Sequence, residues 1–112
     1  MFEYQAKIVR VLDGDTIAVK IDLGFGVWID QTVRLARINA QELHGKNAVA
    51  ALIAKTALSD YLMNKPGPLV LRTYKSGRDT FNRYLADVLM GPEQTNVNDW
   101  MVSNLYAEPY AK

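Results

Sequence analysis

The chain has 112 residues, 49% of them apolar and 22% charged, with a net charge of +1. That is the composition of one folded domain with one core, and no apolar run approaches the ~20 residues of a membrane span. There are no cysteines and a single histidine, His44. This excludes disulfides, thiolate zinc sites and multi-histidine metal sites, so any bound metal would be a hard cation held by oxygen, such as calcium or magnesium.

Met1 to Gln5 lacks the basic and apolar segments of a secretory signal. A cytoplasmic location is the default expectation, with secretion left open.

Phe2 to Val11 reads as a first strand, with Phe2, Tyr4, Ala6 and Ile8 on one face. Asp13-Gly14-Asp15-Thr16 follows as a turn. Asp-Gly is a common hairpin signal because glycine accepts positive φ without steric cost, so a plain hairpin accounts for Asp13 and Gly14. Asp15 is one acid more than a turn needs. Two carboxylates this close repel unless something positive, such as a metal ion, lies between them.

Thr16 to Asp22 alternates, with Ile17, Val19 and Ile21 facing one way and Thr16, Lys20 and Asp22 the other. Leu23-Gly24-Phe25-Gly26 is a turn. No helix follows its glycines, so it is not a phosphate loop. Trp28 to Ile38 is expected as one long third strand, and Trp28 as a core residue. Arg34 and Arg37 interrupt its apolar run, and outward positions on a half-solvated strand explain both.

Asn39 to Asn47 reads as a polar loop. A helix then runs from about Asn47 to Met63, with Ala51, Ala54, Leu58, Tyr61 and Leu62 on its apolar face. Lys65-Pro66-Gly67-Pro68 ends it. Leu69 to Thr73 is a fourth strand, Lys75 to Asn82 a basic loop, and Tyr84 to Met90 a fifth strand before Gly91-Pro92. Arg72, Lys75, Arg78 and Arg83 cluster with Asp79 as the sole acid among them, which suits either a solvated loop or a local phosphate-binding patch. Val97 to Leu105 reads as a short helix with Trp100, Met101 and Leu105 as core candidates.

Three strands, a helix, two strands and a short C-terminal helix is the order of the OB-fold. The expected architecture is thus mainly β (α+β): a five-stranded Greek-key barrel with a helix between strands three and four, in one domain over 1–112.

Val11-Leu12-Asp13-Gly14-Asp15-Thr16, then Val33-Arg34-Leu35-Ala36-Arg37-Ile38-Asn39-Ala40-Gln41-Glu42, then Thr80-Phe81-Asn82-Arg83-Tyr84-Leu85 resemble three sequence blocks of the staphylococcal nuclease (thermonuclease) family, in the same order and at compatible spacing. The likeness runs from the first strand to the region of Tyr110. It stops short of that family's long C-terminal helix, so a compact member is expected. The resemblance implies a calcium-dependent phosphodiesterase acting on DNA or RNA, a monomer with no membrane association.

It also implies roles for particular residues. Asp15 would ligate calcium, with Asp13 supporting the site through water. Asn39 stands at a second ligand position, and Ala40 would contribute its backbone carbonyl. Glu42 would orient or deprotonate the attacking water, while Arg34 and Arg83 would hold the scissile phosphate. Phe81 and Tyr110 would contact nucleic acid, although Tyr110 also fits an ordinary core or surface role.

Three departures stand out. Asn39 replaces an acid, which should weaken metal binding. Gln41 replaces a proline and frees the loop before Glu42. Phe81 replaces a tyrosine, removing a hydrogen bond but keeping a ring that can stack. His44 reads as a solvated loop histidine. The alternative to an enzyme is a nuclease-like barrel that binds nucleic acid or a protein partner without cutting. A further alternative is an OB domain for sugars or a protein, in which Asp13 to Asp15 are turn residues only.

Overall fold

The structure is a computed structural model and describes residues 2–40, 48–64, 68–78 and 84–110, with the backbone alone for 74–78. The elements in chain order are β1 (Phe2–Asp13), β2 (Thr16–Asp22), β3 (Trp28–Leu35), β4 (Ile38–Ala40), α1 (Ala48–Asn64), β5 (Leu69–Arg78), β6 (Tyr84–Met90), β7 (Thr95–Asn96), α2 (Val97–Ser103) and β8 (Ala107–Pro109). Among the described residues no helix is long and apolar enough to cross a membrane.

β1 does double duty. Its first half, Phe2 to Ala6, pairs antiparallel with β5, and the stretch from Ala6 to Asp13 pairs with β2. Register shifts at Ile8/Arg10 and Val11/Asp13 bend the strand so that it can serve both neighbours. The sheet order is β3-β2-β1-β5-β6-β7, and a parallel pairing of Val33 to Leu35 with Tyr84 to Ala86 joins β3 to β6. The result is a closed five-stranded barrel with two helices, compatible with an OB-like α+β fold. β4 and β8 form a separate two-stranded sheet.

The alternation read in β2 is the alternation observed. Ile17, Val19 and Ile21 are buried with Val33, Leu35, Leu71 and Val88 in one core. Helix α1 adds Ala51, Ala54, Leu58 and Leu62. Leu58 is fully buried, and truncating such a side chain to alanine costs about 2–5 kcal/mol.

The alanines let α1 approach closely, and the closest approach is at Gly14. A Cβ placed there would lie 2.8 Å from Ala54 Cβ and 2.9 Å from Ala40 Cβ. Gly14 does not have positive φ, unlike Gly24, Gly26 and Gly91. The turn needs its glycine for space, and backbone freedom is the need at the other three.

Four further sequence expectations are corrected. Trp28 is 42% exposed and Leu105 is 91% exposed. Leu105 has φ 64° and turns the chain out of α2, with Tyr106 N–H donating back to Met101 O at 2.9 Å. It fills a helix-ending position that favours residues able to adopt left-handed backbone, not a core position. Thr16 is buried at the barrel rim. The third strand is not continuous: it breaks at Ala36-Arg37, where Arg37 has φ 65°.

That break is stapled by Asn98, which is fully buried. Its Nδ2 donates to Ala36 O at 2.9 Å and Ala86 O at 3.0 Å and reaches Asp87 Oδ1 at 3.2 Å, and its Oδ1 accepts from Val88 N–H at 3.0 Å. Arg37 Nη2 donates to the same Asp87 Oδ1 at 2.8 Å. The chain is thereby redirected into β4, which pairs with β8 through Ile38–Pro109, Asn39–Glu108 and Ala40–Ala107.

Candidate functional site

Three separate segments meet at one end of the barrel: the β1–β2 turn, the last residues of β3, and β4 with its partner β8. The turn is tied to β3 by Leu35 N–H donating to Asp15 O at 2.7 Å. This fixes the Asp15 carboxylate over the strand end. Thr16 Oγ1 donates to Asp15 Oδ1 at 3.0 Å, and Ala40 N–H donates to Asp15 Oδ2 at 3.0 Å. The contact between Ala40 and Asp15 is thus made by the amide N–H.

Arg34 completes the arrangement. It lies between inward-facing Val33 and Leu35, so its side chain leaves the barrel interior, as alternation requires. It does not extend into solvent. Its Nη2 donates to Asp15 Oδ2 and to Asn39 Oδ1, each at 3.3 Å. The Arg34 and Asp15 side chains are both 11% exposed. The Tyr110 ring lies 5.8 Å from the guanidinium carbon, within cation–π range. Tyr110 is held there because its N–H donates to Arg37 O at 2.8 Å, continuing the β4–β8 ladder.

A guanidinium can present donors to carboxylate and phosphate oxygens alike. Here one of its nitrogens is shared between an acid and an amide, and an aromatic ring borders it. Asp15 is the one carboxylate on the guanidinium among the described residues.

The side-chain oxygens of Asp15 and Asn39 converge on a single positively charged group, and both are oxygen donors of the kind calcium takes. Among the described residues no group of three His, Cys, Asp or Glu side chains is gathered.

The predicted site residues fall into two sets. Asp15, Arg34, Asn39, Ala40 and Tyr110 are brought together by the contacts above. Asp13 ends β1 opposite Thr16, beside them in the turn. Glu42, Phe81 and Arg83 lie outside the described residues, as do Gln41, His44 and the second half of the expected basic loop, 79–82. Its first half, Lys75 to Arg78, is corrected to strand, because β5 continues through it to pair Arg78 with Tyr84.

Two neighbours of the site were not legible in the sequence. The β4–β8 register puts Glu108 directly opposite Asn39, so an exposed carboxylate shares a face with the amide. The web of Arg37, Asp87 and Asn98 sets the direction of β4 and hence the position of Asn39. A lone buried asparagine in a short helix carries no sequence signal for this. The strand break that needs it was not predicted either.

No protein-family model matches the chain, and a search of curated proteins finds no relative. Function is then to be read from the site itself.

Proposed function

We propose that this chain is a nucleic-acid phosphodiesterase of the thermonuclease type, built on an OB-fold with Greek-key connections and with α1 closing the barrel between its third and fourth barrel strands. In support of the fold, the strands follow the ring β1-β2-β3-β6-β5 and return to β1. Helix α1 packs its alanine face on β1 and on the Gly14 turn. The observation that carries the functional reading is the Arg34 guanidinium held between Asp15 Oδ2 and Asn39 Oδ1. A hairpin turn has no need of a nearly buried acid aimed at an arginine on the neighbouring strand.

In this reading, Asp15 and Asn39 would hold a calcium ion, with Asp13 beside them in the turn. Calcium, when bound, supplies Lewis-acid stabilisation of a phosphate oxygen and lowers the repulsion between the phosphodiester and the attacking water. Arg34 binds a non-bridging phosphate oxygen and stabilises the charge that builds there during attack, and Arg83 does the same. Glu42 accepts the proton of the attacking water or orients it. Asp15 holds Arg34 in place before substrate arrives, so the guanidinium needs little reorganisation on binding. Tyr110 and Phe81 offer ring faces to a nucleobase.

One observation favours the alternative, a barrel that binds without cutting: Asn39 places a neutral amide where a second carboxylate would strengthen the metal site.

The deciding experiment is cleavage of labelled single-stranded DNA and RNA by the wild-type chain and by Glu42→Gln, with millimolar calcium and with a chelator. The expected result is calcium-dependent cleavage that the chelator abolishes and Glu42→Gln reduces by orders of magnitude. A folded wild-type chain that cuts neither substrate would overturn the proposal and leave the binding module.

A further inference from the structure

Two exposed aromatic residues have no place in the site described above. Phe25 is fully exposed at the tip of the β2–β3 hairpin, with φ 56° between Gly24 and Gly26. Trp28 opens β3 beside it, and Leu23 and Val27 are also exposed. These residues do not contribute a core, and a hairpin tip has no structural need of them.

They mark the far end of a surface that begins at Arg34. Cross-strand pairing runs from Thr16 opposite Arg34, through Ala18 opposite Thr32 and Lys20 opposite Asp30, to Asp22 opposite Trp28. The six residue steps from Arg34 to Trp28 cover about 20 Å of strand at ~3.3 Å each. Between the ends lies a shallow groove of about 530 Å³, lined by Val9, Ala18, Lys20, Asp30, Gln31 and Thr32.

Its charge is uneven. Lys20 is neutralised by Asp30, with Nζ and Oδ1 2.9 Å apart, and Asp22 is engaged with the Gly24 N–H at 2.8 Å. Lys7 and Arg10, on the adjacent strand, have no ion pair among the described residues. They pair with Lys20 and Ala18 respectively, two ladder positions apart. The Lys7 ammonium also lies 4.9 Å from the centre of the Trp28 ring. The face thus combines cations that have no ion pair among the described residues, Lys7 and Arg10, with two exposed aromatic side chains, Trp28 and Phe25, a combination suited to a single nucleic-acid strand.

We propose that the outward face of β1, β2 and β3, from Arg34 to Trp28 and Phe25, carries the part of a single-stranded polynucleotide that extends away from the scissile phosphate. The inference rests on the phosphodiesterase reading for its direction, since the strand enters from the Arg34 end. Lys7 and Arg10 face successive phosphates, while Trp28 and Phe25 stack on bases beyond them. The site then favours strands several nucleotides long over dinucleotides.

The test is fluorescence anisotropy of labelled single-stranded DNA in chelator, so that no cutting occurs. It compares a strand of about ten nucleotides, within the range OB barrels occupy, with a dinucleotide. Trp28→Ala should weaken binding of the long strand about tenfold and leave the dinucleotide unaffected. Lys7→Glu should flatten the salt dependence. Phe25→Ala, at a side chain wholly in solvent, gives a second variant that leaves the fold intact, with circular dichroism as the check on all three.

Equal affinity of wild type and both aromatic variants for the long strand would overturn the proposal. So would a concentration-dependent self-association that is lost in Trp28→Ala without any strand binding, since the tip would then serve a second copy of the chain. The two readings fail separately. Cleavage that is indifferent to Trp28 and Phe25 removes this inference alone, whereas Trp28-dependent binding by a chain that never cuts removes the phosphodiesterase and keeps the strand-binding face.

Discussion

Arg34 and Arg37 stand on the same run of sequence, either side of the strand break, and each donates to an aspartate. The Arg34 side chain is 11% exposed and Arg37 is 49% exposed, yet the more buried of the two is the one to which the proposed function gives chemistry. The reason lies in what surrounds each partner. Around Arg37, the shared acceptor Asp87 Oδ1 is also reached by Asn98, whose amide ties both strands together. Those groups are occupied in holding the backbone. Around Arg34, the acceptors are one carboxylate and one amide, and the guanidinium faces an exposed tyrosine. One web fixes the chain, and the other presents a positive group at the barrel rim.

The largest effect that would break this comparison is loss of turnover in Arg34→Ala. If Arg34 stabilises charge in the transition state, the rate should fall about 100- to 1000-fold, or ~3–4 kcal/mol, in single-turnover cleavage at saturating substrate. A drop no larger than that of Arg37→Ala would place the two arginines in the same structural role.

Next in size is Asn98→Leu, which leaves the Val88 N–H and the Ala36 carbonyl buried without their partner. It should cost about 3 kcal/mol in urea denaturation. A modest loss with unchanged turnover would show that the break at Ala36-Arg37 holds without its staple.

Asn39→Asp sharpens the other side. It adds a carboxylate beside Arg34, and calcium affinity measured by titration calorimetry should rise about tenfold. The smallest effect is expected for Arg37→Ala. Its half-exposed guanidinium can be replaced by water, so stability should fall by about 1 kcal/mol, with turnover within a factor of about three of wild type.

Much of this molecule could be read from periodicity and turn chemistry. β2 has the bounds expected from its alternation, β6 likewise, and α1 starts and ends within a residue or so of the expected places. These elements follow from local rules: apolar residues at spacing two or at three and four, bounded by glycine and proline. The acids of the first turn and the arginine of the third strand were also visible as candidates, because charged residues in apolar contexts stand out. Their meeting was expected from a likeness of sequence blocks, since neither spacing nor composition brings Asp15 to Asn39.

What only tertiary structure decided is where chain direction changes and which faces are covered. A single residue in left-handed backbone, Arg37, turns an expected long strand into β3 and β4. Nothing in its side chain announces that conformation, which is imposed by Asp87 on the neighbouring strand β6 and by Asn98 of α2. β8 is three residues long and includes Pro109, too short and too irregular for any periodic signal, yet it brings Glu108 opposite Asn39 and Tyr110 against Arg34. Gly14 looked like a turn glycine and is one by sequence, but its need comes from Ala54 and Ala40, residues of another helix and another strand. Trp28 and Phe25 show the same limit in reverse. Hydrophobicity marks a side chain as fit for burial, and only the closing of the barrel determines that the interior is filled without them.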